Sequence, residues 1–576
     1  MRVCLVTPFA WSQPHEVNEH VAGVAAALRA RGHEVTVLAP SARATDLLAG
    51  RRVLQGHAPP AEVVCVGPAV PVSRRSRLGV PVGVRANLAL ALARGGYDVV
   101  HAVEPGLPSL SYLALRETDA LAVATFVSSE RLGYPPARAQ REKLLARIDA
   151  LLALSDRTRA AAAERFPGDY RVLSPGFDPE LLRPAPKRRS IVVELRPAER
   201  AVARAVVRAL RELPRWEAVL LRTSPLVGRP AIPRDLAGRV HVRTARSGAA
   251  RAAILAPAAI FVPASASAGR VLLEAKASGC AVAHPPGVEE QAELAAAAVA
   301  RLAEDAGLRA REQARSLAEA RGQTFADVAA ELERVYRTIA GRRRPRRRPA
   351  DPLGDRPWIV ADLHMHTSWS YDCAVDPAEL VDHAEAEGLG AIAVTDHNAF
   401  GGALAAAAAA RGRDLVVIPG EEVKTDGQGE VIGLFLEREV PRGLSFADTI
   451  AAIREQGGLV YLPHPFDRMH AIPDPATLHR HLADIDVLEV YNARLLFEAQ
   501  NEEAFRFARK YDLTMGAGSD AHVLQGVGTG AVRMRAFRDP EEFLIALRSA
   551  EVLRRPKSLA YLQGLKWMAQ VKEKVR

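Results

Sequence analysis

The chain has 576 residues, of which 48% are hydrophobic and 25% are charged. At roughly 100–200 residues per domain, this length predicts about three to five domains, and the balance of apolar and charged residues excludes a disordered or a fibrous chain. The net charge of +10 includes six arginines between Arg342 and Arg348, and ten minus six leaves +4 for all other residues. We therefore predict a basic tether, which can contact nucleic acid or an anionic membrane, and not a basic face.

The cysteines and the apolar runs indicate the cellular compartment. Four cysteines lie far apart and lack the spacing of a metal site: Cys4, Cys65, Cys280 and Cys373. No apolar stretch reaches the roughly 18–20 residues that a bilayer span requires. The first residues, MRVCLVTPFAW, lack a small-residue cleavage site and predict a core strand. We therefore expect a cytoplasmic protein with reduced thiols.

The first 340 residues alternate short β-branched runs with helical patterns. The elements predicted first along the chain are strands at Val3–Thr7, Val35–Ala39 and Val99–Ala102 and a helix at Val17–Arg31. Apolar strands followed by helices are typical of parallel sheets in α/β units. Since the pattern restarts near Ile191, we predict two Rossmann-like lobes, residues 1–180 and 181–340.

Three segments of this region resemble retaining GT-B glycosyltransferases of the family 4 type. MRVCLVTPFAWSQPHEVNEHVAGVAAALRARGHEVTVLAPS resembles their first βαβ unit. SPGFDPELLRP, at Ser174–Pro184, resembles their inter-domain crossover, and PASASAGRVLLEAKASGCAVA, at Pro263–Ala283, resembles their sugar-nucleotide segment. The resemblance implies a GT-B fold and a place for a sugar nucleotide in these lobes.

The same region departs from the family at groups that transfer requires. The family has a Gly-Gly loop near the donor phosphate, where this chain has His15-Glu16, a bulky and negative pair. The family's histidine after the central strand corresponds to Val127, and of its two donor glutamates only Glu274 remains, since the first is Ala266. Each loss removes a charge or a hydrogen bond from the transition state. We therefore predict a degenerate, inactive transferase region that binds a ligand or serves as a scaffold; the alternative is an active sugar-nucleotide-dependent transferase with an accessory phosphatase.

A change of composition near residue 341 separates this region from the last third of the chain. The run GRRRPRRRPADPLGDRP, at Gly341–Pro357, carries prolines and like charges, which favour an extended linker over residues 341–356. Nine of the 16 histidines follow it, between His364 and His522. Because histidine is the commonest metal ligand among side chains, we expect the chemistry to lie in this last third.

Six predicted strands of the last third each end beside a group that can bind a metal ion. These strands and groups are Trp358–Leu363 with His364 and His366, Ala391–Thr395 with His397, Leu415–Ile418 with Glu422, Leu459–Leu462 with His464, Val487–Tyr491 with Asn492, and Leu513–Gly516 with Asp520 and His522. Asp372 follows the first strand by a few residues. Since a β/α barrel gathers polar groups at the carboxyl ends of its strands, we predict a metal-binding barrel over residues 357–555.

The composition of this set indicates the metal and the reaction. Imidazole and carboxylate ligands together suit Zn, Mn or Fe. Five histidines and three carboxylates exceed the needs of one tetrahedral ion, so we expect two or three divalent ions. Such ions generate hydroxide at neutral pH and stabilise displacement at phosphorus, although the same chemistry serves C–N bonds. Arg494 is a candidate phosphate clamp because its planar fork matches phosphate, and an exposed salt bridge is the alternative.

The motifs DLHMHTSWSYD, TDHN, PGEEV, PHPFD, EVYNAR and GSDAH resemble, in this order, those of the polymerase and histidinol phosphatase (PHP) family. The resemblance covers residues 357–550 and implies a distorted (β/α)7 barrel that hydrolyses phosphate esters by metal-activated hydroxide. It also implies eight metal ligands: His364, His366, Asp372, His397, Glu422, His464, Asp520 and His522. Glu422 is the implied bridge between ions, and Asp520, His522 and Arg494 are the predicted catalytic residues. Many relatives have a histidine where this chain has Glu430.

The predicted partners follow from these interpretations. We expect the barrel to take a phosphorylated small molecule or the end of a nucleotide or oligonucleotide, and the front lobes to be the place for any sugar nucleotide. A non-enzymatic scaffold with a structural metal barrel is a third interpretation. The tail, residues 556–576, spaces apolar residues every three positions with lysines between, which is compatible with an anionic membrane, a partner or the barrel as its contact.

Overall fold

A computed structural model of the chain describes residues 1–69, 71–73, 76–79, 84–195, 200–223, 228, 230–264, 269–283, 292–343, 352–467, 472–555, 558 and 564–565. The chain forms two compact units, Met1–Ala340 and Gly341–Arg576. Several residues named above lie outside the described residues: Ala266, the linker arginines from Arg344 onward, and almost all of the tail.

The first unit is an α/β structure with two parallel sheets. Its strands are β1 (Arg2–Val6), β2 (Glu34–Ser41), β3 (Val63–Pro68), β4 (Pro71–Ser73), β5 (Ser76–Gly79), β6 (Val99–Val103), β7 (Leu121–Phe126), β8 (Ala150–Ala153), β9 (Tyr170–Val172), β10 (Arg188–Leu195), β11 (Glu217–Arg222), β12 (Val240–Thr244), β13 (Ala258–Val262) and β14 (Ala281–Val282). Its helices are α1 (Glu16–Ala30), α2 (Ala44–Leu54), α3 (Arg85–Gly95), α4 (Leu110–Glu117), α5 (Arg138–Leu145), α6 (Asp156–Arg165), α7 (Arg200–Ala209), α8 (Gly248–Leu255), α9 (Arg270–Ala277), α10 (Ala292–Glu304), α11 (Ala306–Ala320) and α12 (Phe325–Ala340).

The sheet orders confirm the two Rossmann-like lobes. Within the described residues, one sheet runs β3-β2-β1-β6-β7-β8-β9 and the other runs β12-β11-β10-β13-β14. The pairings in both sheets are parallel. Strand β1 lies between β2 and β6 and is buried from Val3 to Val6, because helices cover both faces of a parallel sheet. Helix α12 returns to the first lobe, where the Tyr336 hydroxyl lies 2.7 Å from Nδ1 of His101.

The second unit is built from nine strands and six helices among its described residues. The strands are β15 (Trp358–Met365), β16 (Ala391–His397), β17 (Val416–Lys424), β18 (Glu430–Leu434), β19 (Leu459–Leu462), β20 (Val487–Asn492), β21 (Thr514–Gly518), β22 (Gly530–Arg535) and β23 (Glu551–Arg554). The helices are α13 (Pro377–Ala386), α14 (Gly401–Ala409), α15 (Phe446–Arg454), α16 (Pro475–Arg480), α17 (Glu498–Tyr511) and α18 (Pro540–Arg548).

Seven of these strands form a nearly closed barrel, which confirms the predicted fold class. The strands follow one another from β15 to β21, and β18 runs antiparallel to both neighbours. The ends of β15 and β21 meet through Met365 and Ala521, and the Asp520 amide donates to the carbonyl oxygen of His364 at 2.8 Å. The antiparallel β18 makes this a distorted β/α barrel, with β22 and β23 added beside β15.

One strand extends further than its sequence pattern predicts. The apolar run Leu415–Ile418 predicts a strand that ends before Glu421, whereas β17 continues to Lys424. The reason is pairing on both sides, since β16 pairs with β17 as far as Glu422 and the antiparallel β18 pairs with it from Gly420 to Lys424. Glu421 and Glu422 therefore lie inside a strand, with their side chains on opposite faces.

Two further findings concern the helices and the thiols. Among the described helices, none is both long and apolar enough to cross a membrane. The four cysteines are buried free thiols. Burial raises the pKa of the Cys65 and Cys280 thiols to about 11, so neither is an activated thiolate.

Candidate metal centre

The end of β15 brings two buried histidines together. His364 is inside the strand and His366 follows its last residue, so both side chains point to the barrel interior. Their Nε2 atoms are 3.2 Å apart, and Oδ1 of Asp520 lies 3.4 Å from Nε2 of His366 and 4.0 Å from that of His364. These three residues form one group that can bind an ion.

Glu422 is the carboxylate at the centre of the cluster. Its Oε2 lies 3.0 Å from Nδ1 of His397, 3.3 Å from Nε2 of His364 and 3.5 Å from Nε2 of His366. Its Oε1 lies 3.1 Å from Nε2 of His464. The two oxygens of this carboxylate therefore face different histidines.

Asp372 and His522 extend the cluster towards the loop that follows β15. Oδ2 of Asp372 lies 3.1 Å from Nε2 of His522, and its Oδ1 lies 3.8 Å from Nε2 of His397. His522 also approaches Asp520, with 3.4 Å between Nδ1 and Oδ1. All eight predicted ligands therefore lie in one connected cluster within the second unit.

Glu430 lies beside this cluster at the first position of β18. Its Oε1 is 4.0 Å from Nδ1 of His397, and its Oε2 is 4.0 Å from Nε2 of His464. Antiparallel pairing with Lys424 of β17 fixes its place. A carboxylate thus faces the ligands where many relatives have a histidine.

The donor set fits divalent transition metals. Four groups of three residues have donor atoms within 4.8 Å of one another: His366-His397-His522, His364-His366-Asp520, His364-Glu422-His464 and His397-Glu422-Glu430. In a tetrahedral site with metal–nitrogen bonds of about 2.05 Å, donor atoms are about 3.3 Å apart. Most of the measured separations in the cluster are close to that value, and imidazole with carboxylate suits zinc, manganese or iron.

The charges within the cluster favour metal binding. Burial alone would raise the pKa of Glu422, but the imidazoles of His364 and His397 outweigh it and hold that pKa well below its usual range. Burial and two neighbouring imidazoles, those of His522 and His397, lower the pKa of His366 well below its usual range. The cluster thus contains an ionised carboxylate and a neutral imidazole, the forms that bind metal.

Two other ligands hold a proton that a metal would displace. Burial lowers the pKa of both His397 and His464, yet the adjacent Glu422 carboxylate outweighs it and raises each pKa to about 9. Metal and proton compete for the same ring nitrogens. Metal binding at neutral pH should therefore release protons from this cluster.

Arg494 approaches the cluster from the loop after β20. Its Nη1 lies 3.1 Å from Oδ1 of Asp520, and its Nη2 lies 4.0 Å from Oδ2 of Asp372. About a third of the side chain is exposed, at 32%. The guanidinium is therefore salt-bridged and also open to solvent beside the predicted ligands.

Asn492 lies beside the cluster, and its side chain is hydrogen-bonded to protein groups. Its Nδ2 donates to Glu489 at 3.0 Å and to Oδ2 of Asp520 at 3.3 Å, while its Oδ1 accepts from the Arg494 amide at 2.9 Å. All of its polar atoms are thus engaged with protein groups. The residue orients Asp520 and the start of the Arg494 loop.

Three buried carboxylates lie next to the predicted ligands and were not predicted from the sequence as part of the site. Asp362 accepts from the Ser519 and Gly528 amides, each at 2.9 Å, and burial raises its pKa to about 6. Asp396 accepts from the Thr367 amide at 2.7 Å. Glu489 is the third. Each of the three is an acidic residue within an apolar strand. That pattern predicts a buried and fully hydrogen-bonded carboxylate, so it could have indicated these residues from the sequence.

Exposed apolar side chains lie in two loops that carry predicted site residues. Four of the large hydrophobic side chains that are exposed among the described residues lie in the loops that carry Asp372 and Arg494: Trp369, Tyr371, Leu496 and Phe497. Tyr371 is 86% exposed, and its ring centroid lies 5.4 Å from that of His397. We call these four exposed side chains the rim; among them, Tyr371 is the one whose ring lies beside a predicted ligand.

The remaining described histidines of this unit have other contacts. His383 approaches Glu387 at 3.9 Å, and His481 binds Asp484 at 2.8 Å. His479 lies 3.0 Å from the Tyr511 hydroxyl. None of these three belongs to the groups described above.

In the first unit, protein charges occupy the region that resembles a donor site. Glu274 is buried, and its oxygens lie 2.5 and 2.7 Å from two guanidinium nitrogens of Arg251. Arg270 also contacts Glu274, at 3.1 Å, and Glu19 accepts from Arg251 at 2.8 Å. The family's glutamate is therefore present, but both of its oxygens bind arginines of the same chain.

The loop that has His15-Glu16 in place of the family's Gly-Gly pair takes part in the same network of ion pairs. Arg270 donates through Nη1 to the backbone oxygen of Glu16 at 2.8 Å, and the Glu16 carboxylate binds Arg131 at 2.8 Å. Beside Val127, the Glu104 carboxylate accepts from the Val127 and Ser128 amides. Burial raises the pKa of Glu104 to about 7.

Comparison with known families agrees with these two architectures. The profile described as glycosyltransferase family 4 matches residues 17–181, the PHP domain profile matches residues 362–511, and the PHP-associated profile matches residues 498–552. An uncharacterized protein of Methanocaldococcus jannaschii is 33% identical over 214 residues, which are 35% of this chain and 85% of that protein.

Two further similarities cover one part of the chain each. A phosphatidyl-myo-inositol mannosyltransferase of Mycolicibacterium smegmatis is 28% identical over 59% of this chain and 95% of that protein. The solved structure of a proposed metal-dependent phosphoesterase from Bifidobacterium adolescentis is 19% identical over 35% of this chain and 97% of that chain, with a TM-score of 0.27. The chain belongs to the PHP domain family through its second unit, and its first unit contains a glycosyltransferase family 4 region.

Proposed function

We propose that the second unit is a metal-dependent phosphoesterase that hydrolyses a phosphate ester. The observation that carries this proposal is the convergence of five histidines and two further carboxylates around Glu422, whose oxygens face several imidazoles. Two or three divalent ions, of zinc, manganese or iron, would activate water for attack and neutralise phosphate charge. A purely structural site seldom needs so many ligands.

The chain's own residues supply orientation and charge around the reacting phosphate. Arg494 combines a salt bridge to Asp520 with partial exposure beside the cluster, so its free edge can bind phosphate oxygens. Asp520 and His522 both contact Arg494, and they would also hold a bound metal ion. Electrostatic groups fixed before substrate binding are the largest common contribution to such catalysis.

The rim of exposed side chains supports one substrate class over another. The ring of Tyr371 is exposed beside His397, and Trp369 and Phe497 are exposed rings in the same two loops. Stacking of a base on such a ring contributes about 1–3 kcal/mol. Among the predicted substrates, a nucleotide or an oligonucleotide end therefore fits this rim better than a small phosphomonoester without a ring.

The decisive experiment measures metal content and hydrolysis on the same protein samples. Metal is quantified by mass spectrometry beside aryl-phosphate hydrolysis, for wild type and for His364→Ala/Asp520→Ala. His481→Ala/Asp484→Ala is the matched control, because it removes a histidine–carboxylate pair away from the cluster. We expect two or three transition ions per chain in wild type and control, and loss of both metal and turnover in the first variant.

Other outcomes redirect or reject the proposal. Near-zero metal after reconstitution would reject the ligand assignment. A full metal complement without turnover on aryl phosphates, nucleotides and sugar phosphates would reject the phosphoesterase and move the search to C–N bonds.

We also propose that the first unit no longer transfers sugar and serves as a scaffold or as a module for another ligand. The engagement of Glu274 by Arg251 and Arg270 supports this, since a sugar nucleotide would have to displace two buried ion pairs. The mannosyltransferase similarity is the specific observation in favour of the alternative, an active transferase. Calorimetric titration with UDP- and GDP-sugars distinguishes the two: binding with transfer to an acceptor would reject the inactive scaffold.

A further inference from the structure

Glu489 is a buried carboxylate in the middle of β20, and it contacts two predicted metal ligands at once. It is 1% exposed. Its Oε1 lies 3.0 Å from Nδ1 of His364 and accepts from the Tyr461 hydroxyl at 3.0 Å. Its Oε2 accepts from the backbone amide of His464 at 2.8 Å and from Nδ2 of Asn492 at 3.0 Å. Four groups of the protein therefore use this one carboxylate.

The contact with His364 determines which ring nitrogen faces the cluster. A hydrogen on Nδ1, donated to the Glu489 carboxylate, leaves Nε2 as the atom that binds metal. Nε2 is the atom that lies near Glu422 and His366. His366 has a different partner behind it, since its Nδ1 lies 3.1 Å from the Ser370 hydroxyl.

The contact with His464 acts through the backbone. His464 has a φ of +23°, which is unusual for a residue with a side chain. Pro463 and Pro465 flank it and have no N–H, so the His464 amide is the local donor that can hold this turn. Glu489 accepts that hydrogen, and the ring of His464 then reaches Oε1 of Glu422 at 3.1 Å.

We propose that Glu489 is a positioning residue that orients His364 and His464 for metal binding. It is not itself a ligand, since its oxygens already accept from these four groups. The inference rests on the proposed metal centre but not on the identity of the substrate. A residue that only stabilised the barrel would not change how strongly this cluster binds an ion relative to the stability of the fold.

The test is Zn²⁺ affinity, measured by competition with a chromophoric chelator on the full chain. Glu489→Gln keeps the size of the side chain but removes the charge and replaces an acceptor oxygen by a donor. Tyr461→Phe removes one donor to Glu489 without contact to a ligand side chain, and Asp486→Asn removes a carboxylate that binds the Val460 amide and Arg454. Outer hydrogen-bond partners of metal ligands change affinity by about 10–100-fold, which is the loss expected for Glu489→Gln alone. Equal affinity in Glu489→Gln and wild type would overturn the proposal, as would an equal loss in all three variants.

A second measurement decides the matter if Glu489→Gln does not fold. In the Zn²⁺-loaded wild type with ¹⁵N-labelled histidine, we expect a protonated Nδ1 on His364 and metal on Nε2. Metal on Nδ1 would overturn the proposal. Both measurements are independent of hydrolysis, so a protein that binds Zn²⁺ as expected but cleaves no phosphate ester contradicts only the proposed function.

Discussion

Glu421 and Glu422 are consecutive residues of β17 whose side chains have different surroundings. Glu422 contacts four histidines at the centre of the cluster. Glu421 is buried elsewhere, where its Oε2 accepts from the Val440 amide at 2.8 Å and burial raises its pKa to about 7. The alternation of side chains along a strand separates a predicted ligand from a structural carboxyl group.

This relationship predicts different outcomes for two chemically identical substitutions. Glu422→Gln should lower metal content and reduce kcat/KM at least about 100-fold, because the central ligand loses its charge. Glu421→Gln should retain metal and activity, since an amide oxygen can still accept from Val440. Metal analysis and steady-state kinetics on both variants check this, and equal losses would contradict the assignment of Glu422.

Substitution of Arg494 tests the phosphate clamp. Arg494→Lys keeps the charge but loses the planar fork, so kcat/KM for a phosphate ester should fall about 10–100-fold, as expected for about 1.5–3 kcal/mol of charged hydrogen bonding. Metal content should not change. Arg413→Lys, in a surface pair with Asp382, is the control. If the kinetics of Arg494→Lys are unchanged, the phosphate clamp is contradicted and the arginine serves only in its salt bridge.

The rim predicts a dependence on the ring of the substrate. Tyr371→Ala should raise KM for a nucleoside monophosphate about tenfold, which corresponds to about 1.4 kcal/mol of stacking. It should change KM for ribose 5-phosphate less than about twofold. Leu404→Ala removes another exposed apolar side chain of the same unit and serves as control. Equal effects of Tyr371→Ala on both substrates would argue against stacking.

The charge network of the first unit predicts a stability effect. Arg251→Ala leaves Glu274 buried without its main partner and should lower the free energy of unfolding of this unit by about 3–5 kcal/mol. Arg208→Ala breaks an exposed pair with Glu293 and should lower it by less than about 1 kcal/mol. Denaturant unfolding of the full chain measures both. Equally small losses of unfolding free energy in the two variants would show that the buried ion pairs contribute little to the stability of this unit.

Because the carboxyl group of Glu104 is buried, we predict that the stability of the first unit depends on pH. Burial raises its pKa to about 7 in the folded state, so its contribution to stability is present below about pH 4, the unfolded pKa, and is lost as pH rises through about 7. Each unit of that shift corresponds to about 1.4 kcal/mol. Glu104→Gln accepts from the same amides without a charge, so its stability relative to wild type should increase from pH 5 to pH 8. A constant difference between the two proteins would contradict this.

Both fold classes could be predicted from sequence patterns, and the eight proposed metal ligands remain a prediction from the family motifs. Strands and helices follow from local periodicity, and a β/α barrel brings the carboxyl ends of its strands together. For that reason, residues as distant along the chain as His364 and Asp520 could be assigned to one site before any contact was known.

The partners of the remaining charged groups became known from the folded structure and not from the sequence. Glu489 resembles any acidic residue in an apolar strand until the fold places His364, 125 residues away in sequence, beside it. Glu19 and Arg251, separated by 232 residues, each resemble solvated helix positions, yet they pair within the first unit. The extension of β17 across the site likewise depends on its two neighbouring strands. Such contacts depend on long-range packing, which leaves no periodic pattern in the sequence.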